Sequence, residues 1–276
     1  MAPPLLIGIV NITEDSFSDG GRFLDPAAAI AQAQALIADG ADIVELGAAA
    51  SNVASNPVSP QEEIKRLDPV VAALTASAVP LAIDTCQPEV QRFAMARGIA
   101  YLNDIKGFPD AALYPELRAA DCRLIVMHAV QTEGRADRVA LGATEVWRRI
   151  AAFFSQRIAR LVDAGIARDR LILDPGMGFF LSSRPEASLL VLARIGELQR
   201  LFGLPVLVSV SRKSFLAAVT GRQSPGERGP ATLAAELYAA AAGADYIRTH
   251  DPGALRDALT VTAALSNEAL ARYSKS

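Results

Sequence analysis

Short apolar runs rich in Val, Ile and Leu alternate with longer amphipathic stretches along most of the chain. The apolar runs fall at 5–11, 43–47, 80–84, 101–104, 123–128, 171–174, 205–209 and 246–250. None alternates strictly between apolar and polar residues, as expected of strands buried on both faces of a parallel sheet. The stretches between them predict helices over 26–39, 59–77, 88–97, 110–119, 144–164, 185–202, 231–242 and 252–272. Local signals mark the helix ends. Asp25 precedes Pro26, and Ser59 precedes Pro60 with Glu62 beyond it: an N-cap, a first-turn proline and a capping-box acid. Gly40, Gly98, Gly165, Gly203 and Gly243 stand where helices should stop. Eight strand–helix pairs predict a TIM (β/α)8 barrel forming one domain over 1–276. A doubly wound sheet is the alternative, because local pattern carries no information on closure.

Composition narrows the function classes. Of the 276 residues 51% are hydrophobic, enough for a large core and too many for a disordered chain. A formal charge of −3 offers no basic face for nucleic acid. No apolar run approaches the roughly 18 residues of a membrane helix. Residues 1–10 lack a basic leader and read as a strand rather than a signal peptide. Cys86 and Cys122 make neither a metal spacing nor a disulfide framework, so a cytoplasmic location is expected.

The unusual polar residues gather at the C-terminal ends of the strands. They are Asn11, Glu45, Asp84, Asn103, Asp104, His128, Asp174, the run Ser211-Arg212-Lys213-Ser214, and Arg248 with His250. In a barrel these ends converge on the face where active sites form. An Asp after a strand is often only a turn former, and Asp104 fits that role best; His128 fits a hydrogen-bonded strand-end residue. The basic groups after strands seven and eight occupy the usual anion position of such barrels, and guanidinium forks suit phosphate oxygens. Asp84, Asn103 and Asp174 offer two carboxylates and an amide, which match a heterocycle with adjacent N–H donors and carbonyl acceptors. The residues therefore point to a flat, nitrogen-rich ring with an anionic tail. Asn11 near that tail offers an oxygen to Mg²⁺. Two glycine-containing segments, 15–21 after strand one and 175–180 after strand six, suggest a lid and a close backbone approach to a flat ligand. The polar stretch 131–142 reads as a surface loop.

Taken in order, these motifs resemble the dihydropteroate synthases over nearly the whole chain. The matching segments are 8–21 (GIVNITEDSFSDGG), 83–85 (IDT), 103–105 (NDI), 173–179 (LDPGMGF), 211–214 (SRKS) and 248–251 (RTHD). The resemblance implies a catalytic set of Asp84, Asn103, Asp174, Lys213, Arg248 and His250. Within it, Asp84, Asn103, Asp174 and Lys213 would bind the pterin. Asn11, Arg248 and His250 would hold pyrophosphate and Mg²⁺, with Asn11 the metal ligand and Arg212 in support. Ser214 would meet the carboxylate of para-aminobenzoate, Phe179 would wall the pocket, and Ser51 would stand at a substrate-binding position. A homodimer is also implied.

The departures from the family pattern have a direction. The usual Glu-Ser-Thr-Arg-Pro-Gly stretch after strand two becomes Ala49-Ala50-Ser51-Asn52-Val53-Ala54, and Glu45 replaces the usual Asp. Phe179-Phe180-Leu181 replaces Phe-Gly-Lys. Together with 103–110 and 208–216, these features resemble the Sul-type, sulfonamide-insensitive branch. The competing expectation is a pterin- or folate-binding barrel without synthase activity, as in cobalamin-dependent methyltransferases. The basic runs at 211–214 and 248–250 argue against it, because a methyltetrahydrofolate carries no pyrophosphate.

Overall fold

The computed structural model describes residues 2–13, 25–49, 57–130 and 139–265. Eight parallel strands form its centre: β1 (Leu5–Asn11), β2 (Ile43–Gly47), β3 (Leu81–Asp84), β4 (Tyr101–Asp104), β5 (Arg123–Met127), β6 (Leu171–Asp174), β7 (Leu207–Val208) and β8 (Tyr246–Thr249). The sheet runs β6-β5-β4-β3-β2-β1-β8-β7, and a parallel bridge between Leu173 and Val206 joins its two edges. That bridge closes the barrel and removes the doubly wound alternative.

The helices are α1 (Pro26–Ala38), α2 (Pro60–Leu74), α3 (Pro88–Ala96), α4 (Tyr114–Ala119), α5 (Ala143–Asp163), α6 (Pro185–Ala193), α7 (Ile195–Phe202), α8 (Ser214–Thr220), α9 (Gly229–Ala241) and α10 (Pro252–Ala264). The expected caps are present: Asp25 accepts from Ala27 N–H (3.2 Å) and Ser59 from Glu62 N–H (3.2 Å). Three expectations need correction. The helix read over 110–119 is a 3-10 turn, Ala111–Leu113, followed by the short α4, because Asp110 caps the turn and Pro115 follows it. The helix read over 185–202 breaks at Arg194 into α6 and α7. Helix α8 was not anticipated; seven residues are too few for a helical period to stand out. The last helix is described to Ala264, and the remainder of its expected span lies outside the described residues.

Side chains alternate across a strand, so each strand serves two cores. One face packs outward against the helices, with Leu6, Val44, Leu46, Ile83, Leu102, Leu124, Leu173, Val208 and Ile247 in the main cluster. The other face fills the lumen with one residue from each strand. These are Ile7, Ile43, Ala82, Tyr101, Ile125, Ile172, Leu207 and Tyr246. Tyr101 and Tyr246 meet edge to face at 6.3 Å, and Arg123 donates to the Tyr246 hydroxyl (2.7 Å). The lumen is thus plugged with apolar side chains below the site.

Candidate active site

Two residues above the plug, on the same face, the strands turn polar. Ile43 is followed by Glu45, Ala82 by Asp84, Tyr101 by Asn103, Ile172 by Asp174 and Tyr246 by Arg248. A period of two therefore aims all five side chains into the top of the barrel. Glu45, Asn103, Asp174 and Arg248 are buried. The Arg248 guanidinium donates to Glu45 Oε2 (2.7 Å) and to Asp174 Oδ2 (3.1 Å). Its Nε is buried with no hydrogen-bond partner among the described residues. Asn103 Nδ2 donates to Asp84 Oδ1 (2.9 Å), while Asn103 Oδ1 is buried with no partner among the described residues. Gly176 N–H donates to Asp174 Oδ1 (2.8 Å) and fixes that carboxylate's second oxygen.

The electrostatics follow from crowding three acids and two cations into one largely buried cluster. Burial, with the Glu45 charge second, pushes the Asp84 carboxyl well above its ordinary range. Burial also raises Glu45, against the pull of Arg248. Burial lowers the Lys213 ammonium, opposed first by Asp174. Arg248 is depressed by burial, but Glu45 and Asp174 more than offset this and hold it charged. A ligand edge bringing N–H donors would relieve the crowding of these carboxyl groups.

Around this floor stand the loops. Asn11 ends β1, with its Oδ1 3.7 Å from where a Cβ on Gly47 would lie; Asp84 Cβ is 3.9 Å from the same point. Among the described residues no group of three His, Cys, Asp or Glu could hold a metal ion. Lys213 lies between β7 and α8, its Nζ 5.1 Å from the Phe180 ring centroid. Ser214 is the first residue of α8. His250 follows β8; its N–H donates to Ser211 Oγ (3.3 Å) and its Nδ1 lies 2.9 Å from the same oxygen. Phe179 and Phe180 are half-buried in a 3-10 turn, Gly178–Phe180. Gly176 takes φ +74°, and a Cβ there would lie 2.5 Å from the His128 carbonyl, so only glycine fits this approach. Ser51, the segment 15–21 and residues 131–138 lie outside the described residues.

Two strand-end groups have structural duties. Asp104 accepts from Lys106 N–H (2.7 Å), Phe108 N–H (3.1 Å) and Gln91 Nε2 (3.0 Å), which makes it the turn former expected. His128 Nδ1 lies 3.2 Å from the Pro175 carbonyl, and its ring meets Phe153 edge to face. Burial drops its pKa to about 4, so it is neutral at ordinary pH. Glu45, named among the strand-end polar residues but given no role there, is the nearest acid to Arg248. Its signal was a carboxylate in an apolar strand two residues above a plug position.

The chain matches the family of pterin binding enzymes over residues 7–250. It is 59% identical over 268 residues to a dihydropteroate synthase type-2 of Escherichia coli, covering 97% of this chain and 98% of that one. The Xanthomonas albilineans dihydropteroate synthase solved with 4-aminobenzoic acid superposes with a TM-score of 0.86 at 35% identity, covering 95% of this chain and 93% of that one. The Yersinia pestis dihydropteroate synthase solved as a sulfonamide drug complex gives 0.87 at 31% identity, covering 95% and 94%.

Proposed function

Since the chain belongs to the pterin-binding enzyme family, among the dihydropteroate synthases, we propose that it condenses 6-hydroxymethyl-7,8-dihydropterin pyrophosphate with para-aminobenzoate. The products are 7,8-dihydropteroate and pyrophosphate. The observation that carries this reading is the polar layer Asp84, Asn103, Asp174 and Arg248 at one level of a closed lumen. Its Asn103 Oδ1, without a hydrogen-bond partner among the described residues, and its carboxyl groups suit the N–H edge of a pterin.

In this reading Asp84, Asn103, Asp174 and Lys213 hold the ring. Burial keeps Asp84 easily protonated, so it can donate or accept toward the ring as required. Asn11, Arg248 and His250, with Arg212, face the pyrophosphate. The bond between the pterin methylene and the pyrophosphate oxygen breaks, and its electron pair leaves with pyrophosphate. The positive charge on the methylene is shared with the pterin ring. The para-aminobenzoate nitrogen then attacks with its lone pair and releases a proton to solvent. Fixed cations at the leaving oxygens stabilise charge where it develops. Ser214 and Phe179 frame the aminobenzoate, and Ser51 belongs to the same side. Asn11 supplies one amide oxygen, which fits an ion that keeps most of its ligands as phosphate oxygens and water. Mg²⁺ bound there would neutralise pyrophosphate charge.

The 59% identity to a type-2 synthase, against 31–35% to the two solved neighbours, supports the Sul-type reading, in which para-aminobenzoate is kept and sulfonamides are excluded. Phe180 stands beside Lys213, and Phe179 precedes it in the same 3-10 turn, which in this reading supplies bulk beyond the aminobenzoate. A sulfonamide's substituent projects beyond a carboxylate, so a clash there is felt only by the drug. A hundredfold discrimination needs only about 2.7 kcal/mol. The enzyme is read as one cytoplasmic domain; no helix among the described residues is long and apolar enough to cross a membrane. A homodimer is supported by exposed Val219, Tyr238 and Val261 on neighbouring helices α8, α9 and α10.

The test is pyrophosphate release from the two substrates with Mg²⁺, repeated with excess sulfamethoxazole. We expect turnover that persists under the drug. Turnover abolished at low drug would leave a synthase and remove the selective pocket. Bound pterin without turnover would favour the non-catalytic barrel.

A further inference from the structure

The loop between β7 and α8 carries Arg212, Lys213 and Ser214, and its bend is unusual. Arg212 adopts φ +58°, a left-handed conformation that a residue with a Cβ holds only under external constraint. The constraint comes from α9 and from Arg228, the residue just before it. Arg212 N–H donates to Thr232 Oγ1 (2.9 Å), and its carbonyl accepts from Arg228 Nη1 (2.6 Å). The same guanidinium donates through Nε to the Arg222 carbonyl (3.1 Å) and through Nη2 to the Gln223 carbonyl.

Arg228, Thr232 and Glu236 recur every four residues at and along α9, so they form one stripe on its inward side. All three are buried. Glu236 lies against the Thr249 side chain at the end of β8, and its Oε1 has no hydrogen-bond partner among the described residues. Burying a guanidinium and a carboxyl on a helix otherwise rich in Ala and Leu is costly without a compensating role. Here the stripe touches Arg212, next to Lys213, and Thr249, next to His250.

We propose that Thr232 and Arg228 are positioning residues, which grip both backbone groups of Arg212 and so aim Lys213 and Ser214 into the substrate pocket. The inference rests on the reading of Lys213 as a pterin contact and Ser214 as an aminobenzoate contact. The grip explains why a left-handed non-glycine residue is tolerated next to Lys213. It also explains a buried arginine whose guanidinium donates to three backbone carbonyls, those of Arg212, Arg222 and Gln223.

The test compares Thr232→Val, Thr232→Ser, Arg228→Lys and Lys213→Ala by steady-state kinetics and thermal melting. Thr232→Val keeps the shape and removes the acceptor. It should raise KM for both substrates by on the order of tenfold, with kcat changed less, because ground-state contacts to both are displaced. Thr232→Ser should restore both KM values to near the parent. Arg228→Lys, which keeps the charge but loses the fork, should repeat the rise and covers the case of a Thr232→Val chain that does not fold. In a Lys213→Ala background the Thr232 substitution should add little to KM for the pterin substrate. Parent-like KM values in folded Thr232→Val and Arg228→Lys overturn the proposal. So does a loss that follows melting temperature across the variants and is not rescued by Ser. A Lys213→Ala variant with unchanged pterin KM would instead refute the reading of Lys213, whatever the stripe does.

Discussion

Arg248 and Glu236 show how burial and partners decide a side chain's role. Arg248 is held by two acids from different strands, and those acids keep it charged in spite of desolvation. Glu236 Oε1 is buried with no hydrogen-bond partner among the described residues. Burial raises its pKa from 4.5 to about 8, with the Asp251 charge adding and Thr249 and Arg212 opposing. An acid whose pKa is raised by folding binds its proton more tightly folded than unfolded. Stability therefore falls as pH climbs from about 4.5 to about 8 and levels off above. Glu236→Gln removes this titration. The variant and the parent should melt alike at pH 5, and the variant should be the more stable at pH 9 by on the order of a few kcal/mol. Melting curves that stay parallel over this range would contradict a proton on Glu236.

At the scale of elements, the turn after β6 joins the scaffold to the chemistry. Gly176 N–H fixes Asp174, and the Phe180 carbonyl accepts from Val130 N–H (2.9 Å), so this turn is tied to the strand-five loop. Gly176→Ala would place a methyl 2.5 Å from the His128 carbonyl at φ +74°. Strain and overlap together should destabilise the fold by roughly 2–4 kcal/mol, read as a lower urea midpoint. An unchanged midpoint would mean that the turn relaxes freely. The helices that flank such turns are legible one by one when a cap marks them, as Asp25 and Ser59 do. Helix α8 carries no such side-chain cap. Lys213 occupies its N-cap position without a side-chain bond, and the Arg212 bend is held from α9, remote in sequence.

The whole molecule is a barrel whose lumen is apolar below and charged above. Its outer helices leave Val219, Tyr238, Val261 and Leu265 exposed on or next to α8, α9 and α10. If these form the homodimer contact, sedimentation should give twice the 29.1 kDa chain mass, and Val261→Glu should shift it toward the monomer. A parent that sediments as a monomer at micromolar concentration would dismiss the dimer. The sequence alone determined the eight strands, most of the helices between them, and the placement of Asp84, Asn103, Asp174 and Arg248 at or near strand ends. Those are local properties: a buried run, a cap and a period of two are each readable within a few residues. Tertiary structure alone decided closure, which turns on the Leu173–Val206 bridge. It also decided that Glu45 meets Arg248 across 203 positions of sequence, and that α9 grips the loop before α8. Such contacts depend on strand order, twist and helix packing. A periodicity pattern reports which face of an element is buried, not which distant side chain it meets.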